Sequence, residues 1–462
     1  AMCGIVAISG IEKAAEQAYL ALYALQHRGQ EAAGIVTFDG TTSRSHKGRG
    51  LVSDVFSAET LSRLRGDVAV GHTRYSTAGG NDISNAQPLT ARFARGDLAL
   101  AHNGNLTNHL DLRERLVADG AIIRSSADSE ALVHLIAKSK HYGVDAQVDD
   151  ALSQLEGAFS VVISVDSTIY AACDPRGFRP LVLGRKGSGY VVASETCALD
   201  ILGAEYVRDL QPGEVLRIRD GKVEPLRQLK KAQPPAPCIF ELVYFARPDS
   251  RLWGVSVDRA RRAFGQRLAR EHPVEADAVI AVPDSANSAA LGFAEESGIP
   301  FELGLLRNHY VGRTFIQPQQ QDRDFGARMK YNPVREIVDG RRVVIVDDSL
   351  VRGTTSRSLV RMLRQVGASE VHFRIGSPPV RWPCFYGIDM PTRRELIGAE
   401  LEISEIGAKL GVDSLGYLSL EGMTEAVAEA GPYCTACFSG QYPAPLVDVE
   451  KGLASPEGPS HC

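Results

Sequence analysis

The chain has 462 residues, 44% of them hydrophobic and 23% charged, with eight cysteines and a formal net charge of −5. That length exceeds what one ordinary core serves, so two domains are expected, and no apolar run approaches the ~18 residues of a membrane helix. The mildly acidic balance speaks against a nucleic-acid surface, the cysteines are too sparse for a disulfide scaffold, and no basic-then-apolar secretory signal opens the chain; a cytoplasmic protein without nucleic-acid or membrane partners is expected.

The sequence begins AMCGIVAISG, in which Cys3 leads a short apolar stretch that reads as a buried strand. Up to about Arg227, apolar strands (VAVGHTRYS, LALAHNGNL, AFSVVISV, YVVASET) alternate with helical stretches such as EQAYLALYALQHR and DSEALVHLIAKS. A Cys in a strand is most often a small hydrophobe. Three polar, Gly-rich segments nevertheless predict loops that line a site: HRGQEAAG (27–34), GHTRYST (71–77) and AHNGNL (101–106).

QLKKAQPPAPC then breaks helix and sheet alike and places a domain boundary near residue 230. From about Ala276 the pattern becomes strand, Gly/Ser turn, helix, as in AVIAVPDSANSAALGFA and RVVIVDDSLVRGTTSRSLVRMLRQV, which predicts a parallel sheet covered by helices. VVIVDDSLVRGTTS (343–356) puts Asp347 and Asp348 at the end of a β-branched strand, and Gly353, Thr354, Thr355 and Ser356 at the start of a helix. The backbone N–H groups there can cradle a phosphate, and the paired carboxylates suit sugar hydroxyls or Mg²⁺; an ordinary strand-ending turn with a capped helix is the bland alternative. Cys434 and Cys437 form a CxxC, and with Cys238 and Cys384 give four thiols, enough for a [4Fe–4S] cluster or for structural zinc. The tail GLASPEGPSHC predicts loose order.

Whole strings carry more than these separate features. VVIVDDSLVRGTTS resembles the phosphoribosyl-diphosphate (PRPP) motif of type I phosphoribosyltransferases, and CGI with HRGQEAAG, GHTRYST and AHNGNL closely resembles the glutaminase domain of class II amidotransferases. The resemblance implies an α/β protein (α+β plus α/β): an Ntn-hydrolase αββα sandwich over 1–230, and a phosphoribosyltransferase parallel-sheet domain over 231–462 with a cysteine-ligated cluster and a C-terminal extension. Cys3 would attack the glutamine amide to form a thioester, with the Asn103 side chain and Gly104 N–H stabilising the oxyanion. Arg74 would clamp the substrate α-carboxylate, Asp128 would pair with the α-ammonium, and Arg28 would support glutamine binding, a plain surface arginine being its alternative. The α-amine of a terminal Cys has an intrinsic pKa of ~8 and can take the thiol proton, leaving His27, His72 and His102 to structural roles. With Ala1 and Met2 in place the Cys3 nitrogen is an amide and no base. Relatives expose this Cys by losing Met or a short propeptide, so Ala1 reads as an added residue blocking methionine removal, or the pair as a leader, and a chain keeping both is expected to lack glutaminase activity.

In the second half the resemblance implies that Asp347 and Asp348 hold the ribose hydroxyls, while Ser349, Arg352, Gly353, Thr354, Thr355 and Ser356 hold the 5′-phosphate. Asp284 and Ser285 would form the pyrophosphate-side loop, Arg313 in YVGRTF would reach pyrophosphate from a closing loop, and Ser285, Asp347 and Asp348 would face Mg²⁺. The usual Lys-Asn-Arg-Tyr lead-in reads Arg307-Asn308-His309-Tyr310 here, so phosphate contacts from positions 307 and 309 stay open. Glutaminase followed by PRPP site, with FELVYFARPDS (240–250) and RNHYVGRTFIQP (307–318), resembles the glutamine PRPP amidotransferase family, which makes 5-phosphoribosylamine at the opening of purine biosynthesis. Its iron–sulfur branch implies that Cys238, Cys384, Cys434 and Cys437 hold a [4Fe–4S] cluster, with Cys173 and Cys197 in the core and Cys462 a loose thiol. The family further implies ammonia passing between the sites, a homotetramer and feedback inhibition by purine nucleotides. The alternative from another class is a catalytically inactive, nucleotide-sensing PRPP-fold regulator, against which the complete set of site residues stands. An amidotransferase with another acceptor would lack VVIVDDSLVRGTTS.

Overall fold

A computed structural model describes residues 2–75, 82–229, 234–309 and 330–458. The N-terminal part is built on two antiparallel sheets. The first has seven strands, ordered Glu205–Asp209, Val182–Lys186, Gly189–Ala193, Gly4–Ser9, Val68–Arg74, Ala32–Phe38 and Ser43–Arg49. The second has six, ordered Lys222–Gln228, Glu214–Arg219, Thr168–Cys173, Gly157–Val165, Gly96–Leu106 and Leu89–Phe93. Ile5, Ala7, Val36, Val70, Ala101, Val162, Ala171 and Leu216 pack together between them. Helix Ala14–Ala24 covers the first sheet with its Ala14, Ala18, Ala21 and Leu22 face. Helices His109–Ala118, Glu130–Lys138 and Val144–Ser153 cover the second, which completes the expected αββα sandwich.

The C-terminal part holds a four-stranded parallel sheet, ordered Ala278–Ala281, Arg342–Asp347, Glu370–Ile375, Ser414–Tyr417. Its strands are buried on both faces, as their continuous apolar runs require. Helices Val257–Glu271 and Asn287–Ser297 cover one face; Thr354–Val366 and Ile403–Leu410 cover the other. The first pair packs backbone to backbone at Gly265, where a Cβ would stand 1.8 Å from the Ala289 carbonyl oxygen. Among the described residues no helix is long and apolar enough to cross a membrane.

Two expectations change. GHTR and AHNGNL lie within the strands Val68–Arg74 and Gly96–Leu106, as the strand reading of VAVGHTRYS and LALAHNGNL predicts and against the loop reading of the same segments, while HRG meets the 3₁₀ turn Gln26–Arg28 before strand Ala32–Phe38. Polar and glycine residues mask strand periodicity here because these strands are covered on both sides, so His72, Thr73, His102 and Asn103 are buried like the apolar residues around them. The described part of the tail, 452–458, is tied to the segment before it, where Leu453 N and Ala454 N donate to Asp448 O (2.7 and 3.0 Å). Asp448 accepts from Leu110 N and Asp111 N (3.0 and 3.1 Å), capping helix His109–Ala118, and Arg393 N donates to Glu457 O (3.0 Å). These long-range partners are invisible to composition.

Candidate active sites

Cys3 stands at the start of strand Gly4–Ser9, paired to Val68–Arg74 with Gly4 opposite Thr73. Its N–H donates to Asn103 Oδ1 (3.0 Å) and its carbonyl accepts from Arg28 Nε (3.1 Å). Burial pushes the thiol pKa up, while the Tyr75 backbone hydrogen bond and the Arg74 charge pull it down less strongly. The resting group is therefore a thiol that needs a base.

Cys3, Arg74, His102, Gly104 and Asp128 line one cavity with Asn85, Gln87 and His109. Asn103 is fully buried, and its Nδ2 has no partner among the described residues, leaving two N–H donors ready for a developing charge. Gly104 takes φ +145°, and a Cβ there would lie 2.1 Å from the Ala158 carbonyl oxygen, so no side chain fits. Asp128 accepts from Leu106 N and Ser129 N (3.0 and 2.8 Å) and lies 3.4 Å from His102 Nδ1. Burial favours its neutral form, but His102 outweighs this and holds the carboxyl below the usual range. The other His102 ring nitrogen faces the Ala158 carbonyl at 3.4 Å, so neither is directed at the thiol. His72 is fully buried with its pKa depressed to about 3 by desolvation, unsuited to take a proton at neutral pH.

Arg28 is not among the cavity-lining residues. It sits behind Cys3, fully buried, between Glu195 and Glu241. Composition gave no signal for these two carboxylates, although a lone Glu inside the apolar string CIFELVYF is itself a mark of a buried pair.

The second site gathers at the carboxyl ends of the parallel strands, where ligands bind in open α/β sheets. Asp348 N donates to Asp347 Oδ1 (2.9 Å), and Asp348 accepts from the Ser349 hydroxyl (2.7 Å) and from Ser285. Burial, then repulsion from Asp348, raises the Asp347 pKa well above the carboxylate range; Asp348 is raised as well. Gly353 adopts φ +75° at the cap of helix Thr354–Val366, where Thr354 and Thr355 are exposed and Ser356 is buried. Asp284 pairs with Arg307 (3.0 Å), whereas Arg352 turns to Glu395 (2.9 Å). Lys330, not anticipated from sequence, lies near Asp347 and Asp284. Arg313 lies outside the described residues.

Tyr244 lies on the π-helical turn Glu241–Phe245, the element that also brings Glu241 to Arg28. Its side chain is 47% exposed, and its hydroxyl is raised by partial burial and then by the charges of Asp348 and Tyr75.

A third cluster joins distant segments. Cys238 and Cys434 face each other across an isolated parallel bridge, and Cys434 N donates to Pro237 O (2.8 Å). Cys238, Cys384, Cys434 and Cys437 are buried and unoxidised. All four belong to one buried core cluster, and the Cys437 thiol is raised by burial and then by the other three. Among the described residues no three His, Cys, Asp or Glu are gathered as ligands of a single metal ion, so the four thiols do not form a one-ion zinc site as they stand.

A glutamine amidotransferase domain family matches residues 72–200. The amidophosphoribosyltransferase of Synechococcus elongatus is 51% identical over 96% of this chain and 91% of its own length. That of Bacillus subtilis is 49% identical over 96% and 94%. The solved B. subtilis glutamine PRPP amidotransferase complexed with ADP and GMP superposes with a TM-score of 0.92 at 48% identity, covering 96% of this chain and 98% of its own.

Proposed function

Since the chain belongs to the amidophosphoribosyltransferase family, which turns glutamine, PRPP and water into 5-phosphoribosylamine, glutamate and pyrophosphate, we propose how its own residues divide the work. Cys3, once its α-amine is free, gives the thiol proton to that amine and attacks the glutamine amide. Asn103 Nδ2 and Gly104 N–H receive the oxyanion, Arg74 the α-carboxylate and Asp128 the α-ammonium. Ammonia departs, water hydrolyses the Cys3 thioester to release glutamate and restore the thiol, and the ammonia passes to the acidic-pair site, where it attacks ribose C1 and displaces pyrophosphate. There Asp347 and Asp348 hold the ribose hydroxyls, residues 349 and 352–356 the 5′-phosphate, and Asp284 and Ser285 the pyrophosphate side, with Arg313 closing over it. The observation that supports this reading best is the cavity that gathers Cys3, Arg74, Gly104 and Asp128, together with a second sheet whose parallel strand Arg342–Asp347 ends in the acidic pair. The domain division falls near residue 230.

Mg²⁺ fits the second site on its chemistry, because two carboxylates raised by burial and mutual repulsion, with the Ser285 hydroxyl beside them, gain from a cation. When bound it would neutralise pyrophosphate charge. A [4Fe–4S] cluster fits the four neighbouring buried thiols and the Arg179 guanidinium adjoining Cys238 and Cys384. It would serve as a structural tie between the segment after the linker and the C-terminal region. Cytoplasmic location, a homotetramer and inhibition by purine nucleotides complete the proposal; the ADP and GMP bound to the B. subtilis relative support the last.

The test is phosphoribosylamine formation from PRPP by anaerobically purified protein, with glutamine or ammonium as donor and the intact mass recorded. Protein that starts at Cys3 is expected to use both donors, and protein retaining Met2 only ammonium. Glutamine use with Met2 retained would remove the α-amine as base. Separately, Cys437→Ser is expected to remove brown colour and lower the unfolding midpoint by on the order of 5 °C or more. A colourless wild type containing zinc would overturn the cluster.

A further inference from the structure

A buried chain of ion pairs runs from the nucleophile across the domain boundary. Arg28 Nε donates to the Cys3 carbonyl (3.1 Å), while Arg28 Nη1 and Nη2 donate to Glu241 Oε2 and Oε1 (3.0 and 2.6 Å). Glu241 Oε1 also accepts from Arg179 Nη1 (3.2 Å), whose Nη2 donates to the Tyr386 carbonyl (2.6 Å). The side chains of Arg28, Arg179 and Glu241 have 0% exposure.

Arg28 has a second carboxylate, Glu195, from its own domain. Glu195 is heavily shared, however, since it also meets His27 Nε2 (2.7 Å), the Ser250 hydroxyl (2.6 Å) and Arg247 N–H (3.0 Å). The Glu241 carboxylate, by contrast, grips the Arg28 fork with both oxygens, the geometry that fixes a guanidinium plane.

Two backbone contacts orient Cys3: its N on Asn103 Oδ1 and its carbonyl on Arg28. Fixing the carbonyl fixes rotation about the Cα–C bond, and with the nitrogen anchored the Cα–Cβ bond that carries the thiol keeps one direction relative to Asn103. Arg28 can hold that carbonyl only while its own plane is held. With Glu241 removed, a buried guanidinium loses its bidentate partner and must rearrange.

We propose that Glu241 is a positioning residue for glutamine hydrolysis: supplied from beyond the linker, it locks Arg28 onto the Cys3 carbonyl, so the nucleophile is in register only when the second domain is docked. The inference rests on the reading of Cys3 as nucleophile. Glu241 touches no substrate and acts through Arg28. The glutaminase half is therefore completed by its partner domain, and the hydrolysis of glutamine is tied to the presence of the ammonia acceptor site.

The test uses the full-length, processed enzyme. Glu241→Gln keeps the shape and removes the charge; it is expected to lower glutamine-dependent kcat by roughly 100-fold, the scale of a ~1 Å misplacement, with KM for glutamine little changed. Ammonium-dependent synthesis is expected to stay within about twofold, and alkylation of Cys3 by an electrophilic glutamine analogue to slow in step with kcat. Glu241→Asp keeps the buried charge but, one methylene shorter, does not reach Arg28 as Glu241 does; it is expected to be intermediate and carries the test if the Gln variant does not fold. Unchanged glutamine-dependent kcat in the variants that fold, or equal loss with both donors, overturns the proposal. Cys3→Ala run alongside separates the two readings: glutamine use surviving in that variant overturns the nucleophile itself, whereas its loss beside a fully active Glu241→Gln overturns Glu241 alone.

Discussion

Replacement of Cys3 by Ala is expected to lower glutamine-dependent phosphoribosylamine synthesis by at least about 1,000-fold while leaving ammonium-dependent synthesis within about twofold. The split follows from where the residue sits. Cys3 lines the cavity with Arg74 and Asp128, whereas the acidic pair ends a strand of the other domain. Alanine removes only the thiol, so the Asn103 and Arg28 contacts to the Cys3 backbone persist and the strand pairing of Gly4 with Thr73 is untouched. A burial-raised thiol also means that the base matters as much as the sulfur. His72 is too acidic and His102 points to Asp128 and Ala158, which leaves the α-amine of a processed terminus. Rates with both donors, measured on the same preparation, decide the matter. Loss of both would mean that the two half-reactions are not divided between the two sites.

Much of this architecture was legible in residues. CGIVAISG, AFSVVISV and VVIVDD are strands because runs of branched apolar residues bury on both faces, and they occur as Gly4–Ser9, Gly157–Val165 and Arg342–Asp347. The GTTS turn opens helix Thr354–Val366 as its glycine and hydroxyl residues predict. Less legible were the polar strands: Asn103 and His102 belong to an eleven-residue strand, and nothing local distinguishes a buried polar strand from a loop. Least legible were partners far apart in sequence. Glu241 meets Arg28 from 213 positions away, and Asp448 caps a helix from 338 positions away. Such contacts are set by how the domains dock, which no short-range pattern encodes.

Asp347→Asn is expected to weaken synthesis with either donor by roughly 10- to 150-fold, chiefly through a higher KM for PRPP. A hydrogen bond to a charged group contributes about 1.5–3 kcal/mol, and each 1.36 kcal/mol is tenfold. Asn keeps the size and one acceptor but loses the charge that a ribose hydroxyl or a cation would meet. The raised pKa adds a second, signed expectation. Burial and the adjoining Asp348 hold Asp347 protonated to higher pH than a free carboxylate, so PRPP binding, which favours the ionised pair, should weaken as pH falls through that raised pKa. In Asp347→Asn one member of the pair no longer titrates and Asp348 loses its charged neighbour, so this acid limb should shift toward lower pH even as overall affinity falls. A pH profile of KM for PRPP, taken with ammonium as donor so that the Cys3 site does not contribute, reads both effects at once. Unchanged KM across that profile would place the ribose away from the acidic pair and return Asp347 and Asp348 to an ordinary strand-ending turn.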